Sequence, residues 1–193
     1  MCADRSRIKS IAHEIPGWLH DEDVELLYRS AMRVPAGSCI VEIGSWVGKS
    51  TVVLAEGSLS GNKVPVYAVD PHEGGMEHAR EGVLNTLQSF RSNIERFGVK
   101  ELVHEVVATS QSASMPSCPI GLLFIDGDHE YESVRMDFDL WVPHVISGGV
   151  VILHDVVAWW PGPTRVAIES VKNNPMFGNV QQIGYCLYAE RMR

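Results

Sequence analysis

Five short stretches of this chain carry apolar residues at most positions: 39–43, 64–69, 102–107, 120–125 and 150–153. Apolar runs of this length read as strands buried on both faces of a parallel sheet. Between them the apolar residues recur at helical spacing. Val24, Leu27, Tyr28 and Ala31 share one face of a helix that Asp21 can cap, with Glu22 and Asp23 in its first turn and Pro35-Ala36-Gly37 at its end. A second helix follows the first strand and runs to about Gly57. Beyond a flexible joint at Glu73-Gly74-Gly75, Val83, Leu87, Phe90, Ile94 and Phe97 form a third helix, which Gly98 stops. Asp128 can cap a fourth, whose core stripe is Tyr131, Val134, Phe138 and Trp141 and which ends at Pro143. A rigid aromatic loop, Trp159-Trp160-Pro161-Gly162-Pro163, leads into a last helix through about Asn173. Val180 to Arg191 alternates enough for two closing strands, a hairpin around Gly184. Roughly the first 20 residues predict a loose arm, with Ile15-Pro16-Gly17-Trp18 as a turn or an anchoring Trp.

This alternation predicts a doubly wound α/β fold: a mostly parallel seven-stranded sheet with helices on both faces and an antiparallel edge strand. The length of 193 residues suits one domain over 1–193, with 1–36 as an N-terminal arm and cap helix. The net charge of −8, with no cluster of Lys or Arg, argues against nucleic acid or anionic lipid as a partner, because phosphate binding needs a basic footprint. No apolar run is long enough to cross a bilayer, and the polar start Met1 to Lys9 predicts no secretory signal. Cys2, Cys39, Cys118 and Cys186 form no C-x-x-C pair, and Cys39 and Cys186 lie in apolar runs. They read as buried thiols of a cytoplasmic protein.

Two strands stop at reactive groups. Leu122 to Ile125 gives way to Asp126-Gly127-Asp128-His129, and Val150 to Leu153 gives way to His154-Asp155. Ligands of open α/β sheets sit beyond the carboxyl ends of the strands, so these groups meet at one edge. Two converging carboxylates repel each other without a counter-cation. The first strand ends at Glu42-Ile43-Gly44-Ser45-Trp46-Val47-Gly48, a glycine turn opening a helix. Its G-x-x-x-G spacing departs from the dinucleotide pattern, and Gly48-Lys49-Ser50-Thr51 has one residue too few before it for a P-loop. Asp70 ends the second strand, where a carboxylate accepts hydrogen bonds from ribose hydroxyls. Glu42 places an anion where a pyrophosphate would pass, and so favours a ligand with a cationic amino-acid moiety. Together these features point to S-adenosylmethionine.

Glu42-Ile43-Gly44-x-x-x-Gly48, Val69-Asp70-Pro71, Phe124-Ile125-Asp126-Gly127-Asp128-His129-x-Tyr131 and Gly148-Gly149-x-x-x-x-His154-Asp155 resemble a class I S-adenosylmethionine-dependent methyltransferase. The subfamily resembled is the small metal-dependent group acting on macrolide and aminocoumarin sugars, more distantly related to catechol and caffeoyl-CoA O-methyltransferases. The resemblance spans about Gly37 to Val156. It implies that Glu42, Gly44, Ser45 and Gly48 surround the methionine part of the cofactor, Asp70 its ribose, and Thr109 and Ser110 its adenine, with Asp126 at the border of cofactor and metal. It implies a divalent metal, Mg²⁺ first, on Asp126, His154 and Asp155, and His129 as the base that deprotonates the acceptor hydroxyl. The two acids are oxygen ligands suited to Mg²⁺. His154 departs from relatives with an acid or amide there: as a ligand it shifts preference toward Mn²⁺, Fe²⁺ or Zn²⁺, and otherwise it holds a substrate or a water.

The activity so implied is O-methylation of a hydroxylated small molecule such as a natural-product sugar. The alternatives are a catechol-like acceptor, a non-catalytic S-adenosylmethionine-binding protein, and an NAD-dependent oxidoreductase. Trp159 and Trp160 either stack on a ring of the acceptor or pack as core or dimer contacts. With so little chain over the active edge, the pocket is open to a large acceptor or is completed by a second copy in a homodimer.

Overall fold

The computed structural model describes residues 2–73 and 86–192, with side chains from Ser6 onward. Seven strands form one sheet in the order β3-β2-β1-β4-β5-β7-β6. They are β1 (Cys39–Ile43), β2 (Val66–Val69), β3 (Val103–Val106), β4 (Ile120–Ile125), β5 (Val145–Leu153), β6 (Phe177–Ile183) and β7 (Cys186–Arg191). The first five are parallel, and β7 pairs antiparallel with both β5 and β6. The expected doubly wound sheet is therefore present, and the closing hairpin supplies two antiparallel strands.

Strand periodicity explains why both faces are apolar. Along β4, Leu122 and Phe124 join one core, while Leu123 and Ile125 join the other. Ile40 and Ile152 follow the first pair; Val41, Ile43, Val151 and Leu153 follow the second. Side chains that alternate across a pleat can all be buried only if helices cover each side. Helices α1 (Cys2–His13), α2 (Asp21–Met32), α3 (Lys49–Leu59) and α4 (Leu87–Arg96) contribute to the first core, and α5 (Tyr131–Trp141) and α6 (Pro161–Val166) to the second.

Several local expectations are corrected. The N-terminal segment is no loose arm. Ile8, Ile11, Ala12 and Ile15 are buried at helical spacing, and Arg7 makes a two-pronged pair with Glu56 at 3.0 and 3.2 Å. His20, not Asp21, occupies the N-cap of α2, and the Asp23 carboxylate accepts the His20 N–H at 3.0 Å. Helix α5 has Glu130 at its N-cap; Asp128 lies upstream and accepts the His129 and Glu130 N–H groups at 2.8 and 3.4 Å. Pro161 to Pro163 open α6 instead of closing a loop, as suits prolines whose missing N–H groups a first turn does not use. A π-helical turn, Ala167–Val171, continues it. Strand β5 starts at Val145, five residues before the expected Val150, so Gly148 and Gly149 lie within it. Val83 and the Gly74-Gly75 joint lie outside the described residues. Cys39 and Cys186 are buried thiols, as expected from their runs.

Candidate active site

The carboxyl ends of β1, β2, β4 and β5 meet at one edge. Between β1 and α3 the chain turns at Gly44, which has φ 86°, and Gly48, which has φ 89° and occupies the N-cap of α3. Gly44 is required twice over: a Cβ there would lie 2.2 Å from the Asp126 carbonyl oxygen. Its bareness lets the turn press against the end of β4, with the Asp126 N–H donating to Ile43 at 2.8 Å. Gly44→Ala therefore combines left-handed strain with a backbone clash and should cost roughly 2–5 kcal/mol. A urea midpoint equal to that of the wild type would contradict this.

The Asp70 carboxylate is engaged by the backbone of the glycine turn and of its own loop. Its Oδ2 accepts the N–H groups of Ser45 and Trp46 at 2.9 and 2.8 Å, and its Oδ1 accepts that of His72 at 2.6 Å. An ionised carboxylate has about four lone-pair sites, so three are spent on shaping the glycine turn. Glu42 stands two residues before Gly44. Its carboxyl is wholly buried, and burial, seconded by Asp126 and Asp70, pushes its pKa up to about 8 despite hydrogen bonds from Ser50 and Thr51. In the free protein near neutral pH it is chiefly uncharged, and among the described residues its Oε1 is buried without a hydrogen bond. Lys49 donates to the Gly17 carbonyl at 2.8 Å, which ties α3 to the N-terminal segment and takes the side chain out of any phosphate role. Thr109 is exposed and bonded to Ser112 at 2.9 Å. Ser110 is buried, and its hydroxyl donates to Asp137, whose pKa burial raises to about 6.

The reactive groups converge as their strands predict. His154 Nδ1 lies 2.8 Å from Asp126 Oδ1 and 3.2 Å from Asp155 Oδ2, and His129 Nε2 lies 2.8 Å from the same Asp155 oxygen. The ligand atoms of Asp126, His154 and Asp155 all lie within 4.8 Å of one another. Neighbouring ligands of an octahedral ion with bonds of 2.0–2.1 Å are about 3 Å apart, so the donor set fits a divalent cation. Burial opposes charge on His154, but Asp126 first, then Asp155 and Asp23, outweigh it and hold the imidazole well above its usual pKa. The imidazolium is then the counter-cation of the two acids, and an incoming ion would take the place of its Nδ1 proton. Burial likewise opposes charge on Asp155, and hydrogen bonds from His129 and His154 overcome it, leaving its pKa well below the carboxylate range. Asp155 has φ 53°, a left-handed backbone that an Asp tolerates better than most residues. His129 stacks on Trp160, with ring centroids 4.1 Å apart and planes 21° apart. Trp159 is exposed and meets Tyr185 edge-on.

The structure thus joins Asp126, His129, His154 and Asp155 in one cluster, with Glu42, Gly44, Ser45 and Asp70 beside it, while Thr109 and Ser110 engage their own neighbours. Two participants went unread. Asp23 comes from α2, a hundred residues or more from the strand ends, and looked like an ordinary first-turn acid. Asp137 sits within the apolar stripe of α5, where an acid spaced one residue from Phe138 was a readable oddity.

A seven-stranded sheet in this order, with a glycine turn after β1 and an acidic edge on β4 and β5, is the architecture of class I methyltransferases. Residues 41–156 match the family model described as a methyltransferase domain, and the chain belongs to that family. An uncharacterized protein of Acanthamoeba polyphaga mimivirus is 29% identical over 136 residues, which are 68% of this chain. The chain's matches span 58% of that relative and 13% of a second, an uncharacterized protein of Sinorhizobium fredii. The O-methyltransferase NovP superposes with a TM-score of 0.71 at 22% identity, covering 88% of this chain and 79% of that one. TomG from Streptomyces achromogenes, an O-methyltransferase of tomaymycin synthesis solved with S-adenosylmethionine, gives 0.66 at 18% identity over 98% of this chain and 89% of its own. Among the described residues no helix is long and apolar enough to cross a membrane.

Proposed function

We propose that this protein transfers the methyl group of S-adenosylmethionine to a hydroxyl of a small molecule, such as a natural-product sugar, with a divalent cation at Asp126, His154 and Asp155. The observation that carries the reading is the meeting of these three residues and His129 at the edge where the β1 glycine turn touches Asp126. A protein that only bound the cofactor would need neither the acid pair nor the imidazole beside it. Methyl transfer from a sulfonium is an in-line displacement, so the protein's first task is to align donor and acceptor; in good intramolecular models alignment is worth about 7–11 kcal/mol. A bound divalent cation would lower the pKa of an acceptor hydroxyl.

The residues supply the proton transfer. The Asp155 carboxylate accepts, so His129 donates to it from Nε2. As the base, His129 receives the acceptor's proton, and stacking on Trp160 fixes the ring plane. Glu42, Gly44, Ser45 and Gly48 hold the methionine part of the cofactor; Asp70 shapes that turn and has one lone-pair site left for a ribose hydroxyl. Trp159 offers an exposed indole to a ring of the acceptor.

The test is methyl incorporation from labelled S-adenosylmethionine into a panel of hydroxylated acceptors, with and without chelator. Incorporation into sugar hydroxyls that the chelator stops is the expected result; incorporation into catechols alone would reassign the acceptor, and none would leave a binding protein. His129→Ala should lower turnover about 10²–10⁴-fold, the usual worth of a general base, while S-adenosylmethionine affinity stays within twofold or so. Unchanged turnover would remove His129 from the mechanism.

A further inference from the structure

Asp23 is wholly buried although it belongs to α2, outside the sheet. Its Oδ2 accepts the His20 N–H at 3.0 Å, and its Oδ1 accepts the Tyr185 N–H, in the turn between β6 and β7, at 2.9 Å. That turn can come so close only because Gly184 is bare: a Cβ there would lie 2.3 Å from Asp23 Oδ1. The carboxylate faces His154, with Asp23 Oδ2 3.7 Å from Nε2. Among the described residues His154 Nε2 is buried and makes no hydrogen bond, whereas Nδ1 faces Asp126 and Asp155. One ring therefore has the candidate active edge on one nitrogen and an acid of α2 on the other.

An imidazole that gives its Nδ1 lone pair to a cation carries its proton on Nε2. A buried N–H needs an acceptor, and a carboxylate behind a ligating histidine fixes both its tautomer and its orientation. We propose that Asp23 is a positioning residue of the ion site, taking the Nε2–H of His154 and so turning Nδ1 toward Asp126 and Asp155. This rests on the reading of Asp126, His154 and Asp155 as an ion site. It gives α2 and the β6–β7 turn a part in that site which neither family motifs nor strand ends reveal, and it explains how this chain accommodates a histidine between the two acids.

Mn²⁺ titrations of the full chain, read by the electron paramagnetic resonance of free Mn²⁺, test both levels. Wild type is expected to bind one ion, and Asp23→Asn to bind it about 10–100-fold more weakly with the fold intact by circular dichroism. If wild type binds no Mn²⁺, the ion site falls and this inference with it; if the variant binds as tightly as wild type, only the role of Asp23 falls. Two ions per chain would also overturn it, since Asp23, His154 and Cys186 form a second cluster of ligand atoms and would then use Nε2 as a donor. Because Asp23 also anchors two backbone groups, the variant has a substitution-free companion: ¹⁵N-histidine spectra of wild type loaded with Zn²⁺. Nε2 of His154 should keep its proton while Nδ1 shifts as a ligand. A deprotonated Nε2 would sink the proposal whether or not the variant folds.

Discussion

Asp155→Asn is expected to lower methyl transfer about 10³-fold or more and to remove its dependence on a divalent ion. One oxygen, Asp155 Oδ2, meets both His129 Nε2 at 2.8 Å and His154 Nδ1 at 3.2 Å. Its loss therefore acts on the candidate ion site and on the proposed base together. The amide would present either an N–H or a neutral oxygen, and neither binds a hard cation as a carboxylate does. Without the anion, the tautomer and orientation of the His129 ring are no longer fixed by Asp155. Asparagine is the informative replacement, since it keeps the size of the side chain and tolerates the φ of 53° at this position, which an alanine would strain. Residues that act as a unit are not additive, so adding His129→Ala to Asp155→Asn should cost far less than the product of the two single losses. Chelator should leave the residual rate of the variant unchanged. Single-turnover rates with and without chelator, alongside direct ion titration, decide it: a variant with wild-type turnover, or one that chelator still inhibits, would dismantle the site as drawn.

What was legible in this chain followed from period and punctuation. β1 and β4 were readable to the residue, because fully buried strands carry apolar side chains on both faces and stop abruptly where the chain leaves the sheet. The cluster of Asp126, His129, His154 and Asp155 was readable for the same reason: topology alone brings the carboxyl ends of adjacent parallel strands together. What was not legible came from across the sequence. Ile8, Ile11, Ala12 and Ile15 have a helical period, but the polar residues and the Pro16-Gly17 punctuation around them masked a helix that tertiary packing holds in place. Asp70 was placed correctly at the end of β2, yet whether its carboxylate would meet a ligand or the neighbouring N–H groups of Ser45 and Trp46 depends on the path of a turn. The protonation of Glu42 was out of reach for a deeper reason. Sequence gives the identity of a titratable group, while its protonation depends on burial by α3 and on two other acids nearby.

That last difference has a measurable consequence in stability. Glu42 has an ordinary pKa of 4.5 and one of about 8 in the folded chain, with burial the largest cause. A carboxyl whose folded pKa is raised holds a proton in the folded state that the unfolded chain releases above its own pKa. Its contribution is therefore fully present below pH 4.5 and is lost by about 1.4 kcal/mol per pH unit as pH rises toward 8. Glu42→Gln keeps the size and a hydrogen-bonding head and does not titrate. At pH 7.5 it should stabilise the free protein on the order of 3–4 kcal/mol, or roughly 10 °C in melting temperature for a chain of this size, and the gain should fade toward pH 4.5. The same substitution should weaken S-adenosylmethionine binding about 10–100-fold, the worth of a hydrogen bond to a charged group, if the ligand's ammonium recruits the ionised form of Glu42. Stability and cofactor affinity then move in opposite directions at one atom pair, as expected where a fold tolerates a costly buried acid for the sake of a ligand. Calorimetric melts at pH 5, 6.5 and 8, with and without the cofactor, separate the two effects. A gain equal at all three pH values would show that Glu42 does not titrate in this window, and a loss of stability at pH 8 would reverse the sign of the account.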